Sequence, residues 1–164
     1  MTTRMAISAG EKMPPGSLTI MGTSGPESLS TDDIFAGKKV VRISVPGAFT
    51  PTCSMSHLPG FVENADKILS KGVDTIACMA VNDVFVKTAW GADQKVGDKL
   101  LMLADGNADY TKALGLDLDA TKFGMGVRGQ RFAIIVEDGV ATHVAVEEPA
   151  SFDVSRAEAV LEAL

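Results

Sequence analysis

The chain has 164 residues, 46% apolar and 22% charged, with 21 acidic against 15 Lys and Arg side chains and a net charge of −6. That length suits one domain spanning residues 1–164, burying about 70% of the surface its unfolded chain would expose. An acidic balance without a Lys/Arg cluster argues against nucleic-acid and anionic-membrane partners.

Residues 1–10 carry one Arg and no long apolar region, so no secretory leader is expected and the expected location is the cytoplasm. The longest unbroken apolar stretch, Ile76 to Val81, is far short of the roughly 20 residues a membrane helix needs. The Gly-, Pro- and Ser-rich start (MPPGS, GTSGPES) reads as turns around short edge strands. Ser30 to Phe35 has a cap and an acidic first turn, with Gly37 as a stop. Val40 to Val45 is β-branched and bounded by Pro46-Gly47, the pattern of a buried strand. A helix is expected from near Cys53 to Ser70, interrupted early by Pro59-Gly60 and stopped by Gly72. Val73 to Val81 reads as a second buried strand and Asp83 to Ala92 as a second helix, anchored by Trp90. A short strand follows at Leu100 to Leu103, then a helix from Ala108 to Leu114 ending at Gly115.

Arg131 to Glu137 and Val140 to Glu147 are expected as strands joined across Asp138-Gly139, a two-residue hairpin signal. Ser155 and Glu158 have capping-box spacing for a last helix, with Val160, Leu161 and Leu164 facing inward. Strands alternating with helices, then a terminal hairpin, imply an α/β fold. Its central mixed sheet carries helices on both faces, in the order a thioredoxin-like fold requires.

Two cysteines 25 residues apart make no disulfide scaffold, and two histidines add no persuasive zinc site. The informative segment is Pro46 to Gly60, PGAFTPTCSMSHLPG. A buried strand ends at Pro46, an irregular turn follows, and Cys53 falls in the first turn of a helix. Unpaired amides and the positive end of the helix dipole there favour a thiolate over a thiol. Thr50 is three residues earlier, so its hydroxyl can share the sulfur's side, while Pro46 and Pro51 stiffen the turn. The bland alternative is a small packed Cys with Thr50 as an ordinary N-cap.

Ionising a thiol more fully contributes only about 30-fold, roughly 2 kcal/mol. Enzymic accelerations begin near a million-fold, so donors placed on the substrate must supply the rest. A guanidinium is the natural candidate. If Phe132 to Val136 lies antiparallel beside Val40–Val45, Arg131 comes to the Cys53 turn. Arg128 would be a supporting neighbour. Two solvated arginines at a loop–strand junction remain the alternative.

PGAFTPTCSMSHLPGF resembles the active-site signature of the peroxiredoxins, specifically the type II (peroxiredoxin-five-like) group. VNDVFVKTAWG at 81–91, MLADG at 102–106 and GVRGQRFA at 126–133 resemble the same group, so the likeness covers nearly the whole chain. The resemblance implies a thioredoxin-like fold and thiol-dependent reduction of hydrogen peroxide and alkyl hydroperoxides. It makes Cys53 the peroxidatic cysteine, with Pro46, Thr50 and Arg131 completing its pocket, and it implies a homodimer. No metal or organic cofactor is required. Cys53 would become a sulfenic acid and release water or an alcohol.

Some members carry a resolving cysteine near the C-terminus, where this chain has none. Cys78 reads as a structural thiol in a buried strand. An external thiol (glutathione, with glutaredoxin, or thioredoxin) is therefore the expected reductant. His57, four residues after Cys53, reads as structural or at a dimer edge, and His143 as a packed or surface residue. Phe49 and Phe123 suggest an apolar pocket wall. Two other functions stay open: a redox sensor or holdase on the same fold, and a Cys–His hydrolase.

Overall fold

The computed structural model describes residues 5–164. Strands β1 (Ser17–Gly22) and β2 (Gly25–Ser30) form an edge hairpin, and a short helix α1 (Thr31–Phe35) leads into β3 (Lys39–Ser44). A π-helical turn, Cys53–His57, runs directly into α2 (Leu58–Leu69), followed by β4 (Thr75–Ala80), α3 (Val84–Asp93) and β5 (Leu101–Ala104). The rest comprises α4 (Asp109–Ala113), a small hairpin of β6 (Asp117–Asp119) and β7 (Val127–Gly129), then β8 (Phe132–Glu137), β9 (Val140–Val146) and α5 (Ala157–Ala163).

Seven strands make one sheet in the order β2-β1-β5-β4-β3-β8-β9. The βαβ crossovers leave β3, β4 and β5 parallel, and the last hairpin adds β8 antiparallel to β3 and β9 antiparallel to β8. This is the mixed sheet anticipated from the element order.

Strand alternation sorts the sheet's two faces. Val41, Ile43, Cys78 and Ala80 join Leu58, Phe61, Ala65, Ile68, Trp90 and Val160 of the helices in one core. Val40, Ala77, Met79 and Ile134 pack on the other side with Ile34, Phe35 and Tyr110. One consequence is that both cysteines lie in the same layer, beneath α2 and α3.

Two expectations need correction, and one element was not foreseen. Pro59 does not interrupt a helix. The chain stays helical through it, and the turn just before it, Cys53–His57, takes the wider π form that accommodates its ring and missing N–H. The last helix has no capping box: its N-cap is Arg156, and the Ser155 hydroxyl is taken by Glu147 instead. The β6/β7 hairpin was not anticipated, because three-residue polar strands such as DLD carry no periodic signal.

Candidate active site

The end of β3 delivers the chain to a loop held at several points. The Ala48 amide donates to Asn82 Oδ1 at 2.9 Å, tying the loop to the end of β4. Phe49 sits at φ 64, a strained left-handed position for a bulky residue. The Thr50 hydroxyl donates to the Gly47 carbonyl at 2.6 Å, and the Thr50 carbonyl accepts the Ser54 amide at 3.0 Å. With its one hydrogen so committed, the Thr50 oxygen presents lone pairs to any donor that arrives. A Cβ at Gly47 would meet Thr50 Cγ2 at 3.1 Å, so glycine there lets the loop close on itself.

Cys53 opens the π turn and is fully buried. The Leu58 amide bonds the Cys53 carbonyl, one residue further on than an α-helix would reach, and such turns recur at functional sites. The wide turn brings His57 over the same side as Cys53.

The antiparallel register pairs Ser44 with Phe132, so Arg131 lies level with the start of the loop. Its Nη2 donates to Cys53 Sγ at 3.2 Å, and its Nη1 donates to His57 Nδ1 at 2.8 Å. The guanidinium also lies 5.9 Å from the Phe152 ring centroid. One fork thus holds both the sulfur and the imidazole.

Sequence reasoning left His57 as structural or interfacial, whereas the structure gives it a specific task. Its Nε2 faces the Ser155 carbonyl at 3.1 Å. A carbonyl only accepts, so Nε2 carries the hydrogen and Nδ1 is bare toward Arg131. Burial and the Arg131 charge push the imidazole down to about 3, so it stays neutral near physiological pH.

Behind it stands Glu147. One of its oxygens accepts from the Asp153 amide at 2.7 Å and from the Ser155 amide and hydroxyl at 2.9 and 2.7 Å, while the other takes the Val154 amide at 3.2 Å. Burial would raise this carboxyl, but the bonds from Ser155, Asp153 and Val154 outweigh it and hold the group below its usual range. The sequence signal for this assembly is faint: a Glu147-Glu148 pair just past the end of a strand.

Arg128 does not reach the sulfur. Its Nε donates to the Met125 carbonyl at 2.8 Å and its Nη1 to the Val81 carbonyl at 3.0 Å, bracing the loops beside the site. Pro46 and Thr52 wall a cavity of about 340 Å³ together with Leu118, Arg131, Pro149 and Phe152. Its apolar wall is thus made by Leu118, Pro149 and Phe152, while Phe49 and Phe123 point to solvent. His143 is half-buried on β9. Trp90 is fully buried and donates from Nε1 to Ser54 Oγ at 2.9 Å, beside the reactive segment.

Cys78 is fully buried on β4, with the Lys87 amine 3.3 Å from its sulfur. Among the described residues no three His, Cys, Asp or Glu side chains gather as a metal site, and no helix is long and apolar enough to cross a membrane. Both His57 nitrogens are engaged, which leaves none to take a proton from Cys53 as a hydrolytic dyad needs.

A mixed sheet of this topology, with a thiol at a helix start and a guanidinium on its sulfur, defines a thioredoxin-like protein built for thiol redox chemistry. The redoxin family model matches residues 8–161. Peroxiredoxin-2B of Arabidopsis thaliana is 44% identical over 159 residues, covering 96% of this chain and 98% of that protein. Peroxiredoxin-2E, chloroplastic, of the same plant is 44% identical over 163 residues, covering 97% of this chain and 70% of that protein. Among solved structures, reduced Prx3 of Vibrio vulnificus in complex with hydrogen peroxide superposes with a TM-score of 0.93 at 50% identity, covering 96% of this chain and 98% of that chain.

The chain belongs to the redoxin family, as a type II peroxiredoxin. It is a thiol peroxidase with an antioxidant function, taking a peroxide as substrate and a thiol as reductant.

Proposed function

We propose that Cys53 is the thiol that attacks the peroxide, and that Thr50, Arg131 and Pro46 complete its catalytic pocket. The observation that carries this reading is the 3.2 Å approach of Arg131 Nη2 to Cys53 Sγ across 78 residues of sequence. The sulfur attacks one peroxide oxygen in line with the O–O bond. The S–O bond forms as the O–O bond breaks, giving a sulfenic acid and releasing water or an alcohol. The Thr50 oxygen accepts from the peroxide O–H and orients it, while Arg131 donates to the departing oxygen and stabilises its charge. Pro46 presents no N–H and keeps bulk water from the sulfur.

The peroxide enters through the cavity walled by Pro46, Thr52 and Arg131. Its apolar side beyond Arg131 favours organic hydroperoxides alongside hydrogen peroxide. Arg128 supports the pocket at one remove, through the loop carbonyls it binds.

The sulfenic acid is reduced by an external thiol: glutathione, with glutaredoxin, or thioredoxin. Burial of Cys78 supports this reading, as does the lack of any cysteine after residue 78. The cytoplasm, a reducing compartment, suits two free thiols. We also propose a homodimer. Phe49, Phe85 and Phe123 are 53%, 64% and 71% exposed. Phe49 and Phe123 sit on loops that Asn82, Met125 and Arg128 tie together, and Phe85 lies in the first turn of α3 just after Asn82, an apolar rim suited to a second copy.

A single-turnover experiment tests the chemistry. One equivalent of peroxide should add one oxygen to Cys53, trappable by a sulfenate reagent, and a donor system should then sustain turnover. Trapping at Cys78 alone would overturn the assignment. Oxidation at Cys53 without turnover by any donor would make the protein a sensor.

A further inference from the structure

The peroxidase cycle leaves one reactive pair unused. Lys87 on α3 and Cys78 on β4 are both fully buried, with Nζ 3.3 Å from Sγ. Lys87 forms no ion pair among the described residues; its other neighbour is the Trp90 ring, whose centroid lies 4.9 Å away. An amine confined this way, with only a sulfur and a ring face, adds no stability that an apolar pair of the same volume would lack. It does place a nitrogen at the separation from which bonds form.

We propose that Lys87 and Cys78 form a peroxide-driven modification site, in which Cys78 is oxidised to a sulfenic acid that condenses with the Lys87 amine to a sulfenamide. The inference goes beyond the Cys53 cycle and does not depend on which donor reduces it. In the first step the amine takes the thiol proton, and the resulting thiolate attacks peroxide. An S–O bond forms and the O–O bond breaks; the expelled hydroxide recovers the proton from Lys87 and leaves as water. In the second step the amine nitrogen attacks the sulfenyl sulfur. An S–N bond forms, the S–O bond breaks, and the hydroxyl departs with an amine hydrogen as a second water. Cys78 loses two electrons and one peroxide gains them.

Burial favours the neutral amine, which the second step requires, and it also pushes the Cys78 thiol up. That makes the proton transfer of the first step the uphill one; the closeness of the two groups partly offsets both shifts. Lys87, 3.3 Å away, is the nucleophile within reach of the sulfenic acid. Both sulfurs are buried, but Arg131, which holds Cys53, lines the entry cavity, whereas oxidant reaches Cys78 on transient opening of the layer above, so the reaction is slow beside that at Cys53. It registers sustained peroxide rather than single turnovers. The new bond ties α3 to β4, and the Trp90–Ser54 hydrogen bond carries the shift to the residue next to Cys53.

Trypsin offers a direct readout. Cys78 and Lys87 share the tryptic peptide 72–87, and a modified Lys87 is no longer cleaved. Intact protein, as wild type and as Cys53→Ser, is held in excess hydrogen peroxide, denatured in alkylating reagent and digested. The expected product is peptide 72–95 with its mass lowered by two hydrogens and no alkyl group, reverting to alkylatable 72–87 after dithiothreitol. Lys87→Arg, which keeps a long basic side chain but not the primary amine, should abolish it. Dithiothreitol reversal in wild type stands even if that variant folds poorly. Alkylatable Cys78 after full oxidation of Cys53, sulfinic Cys78 beside a cleavable Lys87, or a Cys53–Cys78 disulfide would each overturn the proposal.

Discussion

His57 provides a quantitative test of how the fold holds Arg131. Its imidazole is pushed down to about 3 by burial and the Arg131 charge, against about 6.5 in an unfolded chain. Between these values the unfolded chain binds a proton that the native protein refuses. Stability is therefore full above about pH 6.5 and falls on acidification, by about 1.4 kcal/mol per pH unit. From about pH 7.5 to about pH 4.5 this side chain alone costs about 2.7 kcal/mol, a substantial part of a typical stability of 5–15 kcal/mol.

Urea unfolding at a series of pH values, followed by Trp90 fluorescence, measures it. His57→Gln removes the titration and keeps an oxygen for Arg131. Wild type should lose about 2.7 kcal/mol relative to the variant across that interval. Parallel stability curves for the two proteins would show that the imidazole is not held neutral, and the account of the His57–Arg131 bond would fail with it.

Further expectations concern the site and its support. Arg131→Met and Thr50→Val should each slow peroxide reduction at least about ten-fold with unchanged far-ultraviolet circular dichroism, since a hydrogen bond to a charged group is worth about 1.5–3 kcal/mol. Near-normal stopped-flow rates would remove those assignments. Cys78→Ser should spare both the first oxidation and steady turnover with an external thiol. Loss of turnover alone would instead make Cys78 the resolving thiol. Glu147→Ala strands the amides of Asp153, Val154 and Ser155. It should lower unfolding stability by about 2–4 kcal/mol in urea titration, whereas a change below about 0.5 kcal/mol would mean water replaces the carboxylate at little cost.

Local chemistry made much of this protein legible in its residues. The β-branched runs at Val40–Val45 and Phe132–Val136 mark strands buried on both faces, and Asp138-Gly139 marks the hairpin between β8 and β9. The PGAFTPTC segment marks a stiff turn delivering a sulfur to a helix start. These signals are legible because each depends on neighbours within a few residues. Even the Arg131 approach was inferable, because antiparallel pairing converts a sequence position into a spatial one.

Other features had no such local cause. Ser155 and Glu158 carry capping-box spacing, yet Glu147, eight residues upstream, claims the serine. His57 is four residues from Cys53, but its tautomer is set by the Ser155 carbonyl, 98 residues away. Lys87 reads as one more helical lysine until β4 is laid against α3 and its amine meets Cys78. Chain-local patterns settled the main strands, the turn and the placement of Cys53 at a helix start. The hydrogen bonds that aim Arg131, and the burial that keeps His57 neutral, exist only once distant segments exclude water together.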